Sequence, residues 1–208
     1  MVPVISVPDL RDYWLINRFI ERLLDQGQTL IQLVGVERQR LLLSGLRGPW
    51  SGRILVEGNP GPEFAAEFDC PGLVVDCRGS VSDGAARALR AGCLVVHGRG
   101  GDAIGLNQRG GLVLVLGGAG DRVGLEMIDG ILGVVGSVGR LLGERQRGGR
   151  ILIDQEGARG PYVRHGALGG RVEVMPSGRK LIEALAAENP ACSLGVAPAE
   201  PARAVEDA

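Results

Sequence analysis

Residues 111–130 read GLVLVLGGAGDRVGLEMIDG, and residues 92–110 before them read GCLVVHGRGGDAIGLNQRG. Laid one over the other, both open on a glycine and run through a short apolar strand into a glycine-rich turn. The same frame extends outward in both directions, with Gly52, Gly72, Gly92, Gly111, Gly130, Gly149 and Gly170 opening seven copies 19 to 21 residues apart. Two and four residues after the leading glycine stand Ile54/Val56, Leu94/Val96, Val113/Val115, Leu132/Val134, Ile151/Ile153 and Val172/Val174. The second copy departs from this, because Val74 is followed by Asp76. Turn glycines recur at Gly58, Gly98, Gly117 and Gly136, at Gly61, Gly101, Gly120 and Gly139, and at Gly105, Gly124 and Gly143.

A unit of about 20 residues is too short to close a sheet and long enough for one coil of a parallel β-helix. Seven coils stacked at about 4.8 Å make a rod roughly 34 Å long. Corners stacked in register need sharp turns and leave little room for a Cβ, which is what periodic glycines supply. Helical hairpin repeats are excluded, since each glycine inside a helix costs about 1 kcal/mol. With 35 glycines and only 3% aromatic residues, the core must be stacked Val, Leu and Ile.

The flanks read differently. Residues 8–26 show apolar residues at helical spacing (Trp14, Leu15, Phe19, Leu23, Leu24), ended by Gly27. Two strands are expected next, over residues 29–36 and 39–44, so that residues 1–50 form a helix and capping strands ahead of a solenoid over residues 51–176. Ser177 is placed to cap a helix through residue 188 that covers the far end of the rod, and residues 189–208 read as a disordered tail.

The 23 basic and 24 acidic side chains nearly cancel, so no global field draws the chain to nucleic acid or an anionic membrane. No run reaches the 18 or more apolar residues of a membrane span, and the opening residues lack a signal-peptide pattern, so a cytoplasmic location is expected. Cys70, Cys77, Cys93 and Cys192 form no CxxC pair and read as reduced, half-buried or buried small hydrophobes. Neither a metal nor another cofactor is expected.

Candidate chemistry is sparse. Asp102 and Asp121 hold equivalent places in consecutive coils and would stack about 4.8 Å apart, close enough to share a proton or a cation. The simpler reading is that each caps its own turn, with Arg140 neutralising Asp121 from the next coil. His97 is expected to point outward, and His165 sits in a glycine-flanked turn. A groove beside Asp102, Asp121, His97 and Glu126 is the best place for a site, should the chain act as an independent enzyme or binding protein. The glycine clusters recur in every coil with no helix behind them, which argues for turn geometry against phosphate binding. Arg140, Arg145, Arg147 and Arg150 make a basic cluster. Asp76, in an inward slot, requires a partner such as Arg53 or a strand shifted by one residue.

The repeats over residues 92–153, and more loosely over 50–176, resemble the family named for GXGXG repeats. That family includes the C-terminal β-helix of the glutamate synthase large subunit and the β-helical subunit of formylmethanofuran dehydrogenase and formyltransferase/hydrolase complexes. Ile16-Asn17-Arg18 is similar to the lead-in of the glutamate synthase domain. The resemblance implies an all-β, single-stranded, right-handed parallel β-helix of about seven coils with N- and C-terminal capping helices. It also implies a noncatalytic support role beside a catalytic partner of amidotransferase, FMN-dependent synthase or formyltransferase type; pairing of the helix face with itself is a further possibility. The catalytic parts of glutamate synthase have no counterpart, since residue 2 is Val and the cysteines lack iron–sulfur spacing.

Overall fold

The computed structural model describes residues 2–9, 12–159 and 168–192. It is a β-solenoid of about seven turns, built on one nine-stranded sheet in which every neighbour is parallel and strand order follows chain order. The strands are β1 (Val4–Ser6), β2 (Leu30–Glu37), β3 (Ser51–Asn59), β4 (Asp69–Cys77), β5 (Ala91–Val96), β6 (Arg109–Val115), β7 (Asp129–Val134), β8 (Arg150–Asp154) and β9 (Arg171–Met175). Because successive side chains alternate across a strand, one face of this sheet lines the solenoid interior and the other looks out. Ile54, Val56, Leu94, Val96, Val113, Val115, Leu132, Val134, Ile151 and Ile153 are all interior and buried, as their place after the leading glycines requires.

The coil begins earlier than the leading glycines indicate. β1 and β2 are parallel members of the same sheet, with Ile31 opposite Ile54 and Leu33 opposite Val56. Residues 39–44 are a turn ribbon and not the second capping strand, with Leu41 and Leu43 both at φ 60°. Their period of two has another cause. The coils from residue 41 to residue 145 each carry a stretch in which every second residue has positive φ: Glu63, Ala65 and Glu67 in one, Arg122, Gly124 and Glu126 in another. This flips successive amides up and down the stack. Glu63 N–H bonds Asp83 O above, Ala65 N–H bonds Leu42 O below and Glu67 N–H bonds Arg87 O above. Left-handed backbone costs about 1–2 kcal/mol per non-glycine residue, and these amide bonds hold it in place. The inward side chains of the ribbons, Leu42, Phe64, Ala85, Ile104, Val123 and Leu142, form the wall opposite the sheet.

Asp76 resolves as a shift in frame. Ser51, not Gly52, stands opposite Gly72, so the interior residues of β4 are Leu73, Val75 and Cys77, and Asp76 lies on the outer face. With the shift applied, Gly79 takes the corner position of Gly58 and Gly98; a Cβ on it would lie 2.1 Å from Gly58 O. The sixth copy, which lacks its turn glycines, turns instead through the short helix α2 (Gln155–Ala158), capped by Asp154 accepting from Gly157 N–H at 2.9 Å.

Helix α1 spans Tyr13–Asp25, shorter than residues 8–26; residues 10 and 11 lie outside the described residues. Asp12 caps it by accepting from Trp14 N–H at 2.9 Å. Ile16, Ile20 and Leu24 join the interior cluster, closing the first coil. Buried Asn17 gives its amide N–H to Ser44 O and accepts from Leu43 N–H, satisfying the ribbon edge that stacking leaves open there. Helix α3 (Gly178–Glu188) is capped by Ser177, as its sequence indicates. It does not stack across the end of the rod. Leu181 and Leu185 pack on the outer face of the sheet with Leu114 and Leu152, and a Cβ at Gly133 would meet Leu185 at 2.7 Å. The tail from residue 193 onward lies outside the described residues.

Gly52 (φ +142°) would place a Cβ 2.2 Å from Thr29 O, whereas Gly27 (φ +80°) faces nothing within 4 Å. Gly52→Ala is therefore expected to cost about 3 kcal/mol or more and Gly27→Ala about 1. Thermal denaturation should show a Tm drop several-fold larger for the first, and equal drops would remove the close-stacking explanation.

Candidate functional site

Asp102 and Asp121 stand on consecutive rungs of a hydrogen-bond ladder. Each reaches one coil onward: Asp83 Oδ1 accepts Asp102 N–H, Asp102 Oδ1 accepts Asp121 N–H and Asp121 Oδ1 accepts Arg140 N–H, all at 2.8 Å. The capping runs between coils and not within a single turn. A second ladder at the preceding corner runs from Asn59 Oδ1, which accepts Ser80 N–H, to Ser80 Oγ, which accepts Arg99 N–H. The ladders explain the glycines that stand before Asp102, Asp121 and Arg140. A Cβ at Gly101, Gly120 or Gly139 would fall 2.4, 2.1 or 2.3 Å from the carboxylate oxygen of the coil below. Asp83 was detectable by its repeat spacing from Asp102, but Ser82 stands where the glycine should be.

Arg140 closes the ladder, with Nη2 3.0 Å from Asp121 Oδ2. Bonding from the Arg140 backbone N–H, then from its guanidinium, holds the Asp121 carboxyl below the usual carboxylate range. Elsewhere in the basic cluster, Arg145 pairs with Glu126 at 3.0 Å and Arg150 with Glu173 and Glu188. Glu126 is a left-handed ribbon residue engaged in that pair. No hydrogen bond or ion pair among the described residues links it to Asp102, Asp121 or His97. His165 lies outside the described residues.

His97 belongs to a different group. Its Nε2 is 2.8 Å from Asp76 Oδ1, while Arg53 Nη1 and Arg78 Nη2 lie 2.7 and 3.1 Å from Asp76 Oδ2. Asp76 is 1% exposed, and its carboxylate is surrounded by these groups on the outer face of β3 to β5. Arg53 is the partner its burial demanded, and His97 faces outward onto the same acid. The arrangement fixes an imidazole beside a carboxylate, and among the described residues no Ser or Cys is hydrogen-bonded to that imidazole as a nucleophile would be.

The thiols fall into two kinds. Cys70 and Cys77 are interior, and burial raises each to about 11. Cys93, on the outer face of β5, shares a buried cluster with Cys192, in the single 3-10 turn Pro190–Cys192 that follows α3. Spacing alone had no means of joining residues so far apart in the chain. Among the described residues no three His, Cys, Asp or Glu side chains gather as a metal could use them, and no helix is long and apolar enough to cross a membrane.

At the N-terminal end, Trp14, Leu15 and Phe19 are 54, 49 and 45% exposed on the outward side of α1. Arg18 and Arg22 line the same ≈ 260 Å³ hollow, with Arg18 stacked 5.2 Å from the Trp14 ring centre. Comparisons with protein-family models, curated proteins and solved structures return no match.

Asp102→Ala removes the acceptor for Asp121 N–H and is expected to cost about 1 kcal/mol, most of it recovered in Asp102→Asn, whose amide oxygen can accept the same bond. Chemical denaturation of the three proteins separates this role from a charge-dependent one, in which Asn would behave like Ala. Asp76→Ala leaves Arg53 and Arg78 beside an empty acid site, so a larger loss, about 3 kcal/mol, is expected by the same assay. Since the Asp121 carboxyl is depressed, its contribution is present above the unfolded carboxylate range and is lost as pH falls through the folded value. In Arg140→Ala, which keeps the backbone N–H, the acid-side decline in stability should be somewhat shallower; an unchanged profile would show that the guanidinium adds nothing to the hold of that N–H on Asp121.

Proposed function

We propose that this chain is a noncatalytic assembly subunit, a β-helix that docks on a catalytic partner of the kind found in glutamate synthase or formyl-transfer complexes. The observation that carries the reading is the exposed Trp14–Leu15–Phe19 face. A chain with seven aromatic residues leaves two of them, side by side, uncovered on its capping helix. Exposed aromatic and Arg side chains around a hollow have the composition of an interface anchor. Further support comes from the polar residues of the solenoid, since Asp83, Asp102, Asp121 and Asn59 spend their acceptors on the neighbouring coil. Ile16-Asn17-Arg18, the stretch similar to the glutamate synthase lead-in, supplies core, ribbon clamp and surface cation in turn. Four free thiols fit a reducing, cytoplasmic setting.

The test is an affinity purification of the tagged chain from its native cytoplasm at moderate salt, alongside a Trp14→Ser/Phe19→Ser double variant. Stoichiometric recovery of an amidotransferase, flavin-dependent synthase or formyltransferase, at least tenfold reduced with the variant, is expected. Turnover of glutamine, 2-oxoglutarate or a formylated pterin by the purified chain alone would sink the noncatalytic reading.

A further inference from the structure

The chain that leaves α3 doubles back over the outer face of the sheet. Asn189 bonds Leu185 O through its side chain and backbone, ending the helix, and the 3-10 turn Pro190–Cys192 then brings Cys192 into the buried cluster that holds Cys93. Both cysteines belong to the outer-face cluster that α3 seals with Leu181 and Leu185. Cys93 is 1% exposed and Cys192 9%. Cys192 forms part of the wall of an open groove of ≈ 510 Å³, bounded by Gly92, Gly111, Ile131, Asn189 and Pro190. A small reagent thus has an approach to Cys192, while Cys93 is sheltered behind it. The other two thiols have no such partner: Cys70 donates to Leu46 O, and Cys77 lies against Gly58 O and Gly79 O.

We propose that Cys93 and Cys192 are a thiol–disulfide exchange site, oxidised by a low-molecular-weight disulfide that enters this groove, and that the bond they form latches the C-terminal strap to the sheet. The reaction balances in two displacements. The Cys192 thiolate attacks one sulfur of the reagent disulfide, forming a mixed disulfide and expelling one reagent thiolate. Cys93, losing its proton to solvent, attacks the Cys192 sulfur and expels the second. Two protein thiols become one disulfide, and one reagent disulfide becomes two thiols.

Groups around the pair assign the roles. The S–H of Cys93, hydrogen-bonding to Cys192, favours the thiolate of Cys192, and the Arg53 guanidinium adds to it; burial opposes both. Cys93 is shifted the other way by that same hydrogen bond and by burial, with the Asp76 carboxylate adding to the rise. Access agrees with this: Cys192, which lines the groove, is the attacking thiol, and Cys93, sheltered behind it, the resolving one. This inference rests on the outer-face geometry and not on the docking reading, so either can fail alone.

The experiment uses the full chain, native, equilibrated with oxidised glutathione at neutral pH, quenched with acid and digested without reduction. A single cross-link between the tryptic peptides spanning residues 91–99 and 181–203 is expected, with Tm raised by roughly 5–15 °C by closure of a loop of about 100 residues. Alkylation of the reduced protein should proceed at least about tenfold faster at Cys192 than at Cys70 or Cys77. In Cys93→Ser the glutathione adduct on Cys192 should persist, because the resolving thiol is gone. A link through Cys70 or Cys77 overturns the proposal. So does a stable Cys192 adduct in the unsubstituted protein, or two unlinked thiols after equilibration with excess oxidant.

Discussion

Every coil of this solenoid depends on backbone amides that bond carbonyls in the coils above and below. A coil of about 20 residues has no internal ladder, so an amide at a corner that misses its neighbour is buried without a bond, at about 1–3 kcal/mol each. Close, in-register stacking is the one arrangement that avoids this penalty throughout, and it explains features that otherwise look unrelated. Corner glycines admit the carbonyl of the coil below, ribbon residues accept left-handed φ to aim amides alternately up and down, and Asp side chains bridge where the main chain alone cannot.

The same constraint decides what became of the polar residues. A carboxylate at a stacked corner can serve the next coil or serve a ligand, and Oδ1 of Asp83, Asp102 and Asp121 serves the coil. Polar residues left over for chemistry or recognition must therefore sit where stacking makes no demand: the outer face of the sheet and the capping helix. That is where the Asp76–His97 group, the Cys93–Cys192 pair and the Trp14 face are found.

What could be read from the chain follows from periodicity. Interior strand residues repeat every coil, so Ile54 and Val56, and the pairs from Leu94 to Ile153, were placed correctly. Residues 39–44 misled because a ribbon of alternating φ gives the same period of two as a strand, and side-chain patterning cannot report the sign of φ. The second copy misled because its glycine sits one residue early, which assigned Asp76 to the interior when it belongs to the outer face. Contacts between distant segments leave no periodic trace, and Cys93 with Cys192 is such a contact. The Arg53 partner for Asp76 was accessible, since a buried acid demands a cation and only one stood beside it in the coil below.

Gly133 shows how an irregularity in a regular fold gains a use. On the outer face it occupies the column that holds Val95, Leu114 and Leu152 in other coils, and a side chain there would collide with Leu185 and Leu181. Its absence makes a notch into which α3 seats two leucines, giving the outer face a second small core. At about 2 kcal/mol for each leucine removed from water, that seat suffices to hold a helix of 11 residues which, alone, would be marginal in water. The strap is then held at one end by this notch and by the Arg150–Glu188 pair, while its other end, at Cys192, joins the buried cluster that holds Cys93. A segment anchored firmly at its helix and lightly at its tip can open at the tip without unfolding the solenoid, which is the freedom a thiol beneath it requires in order to react.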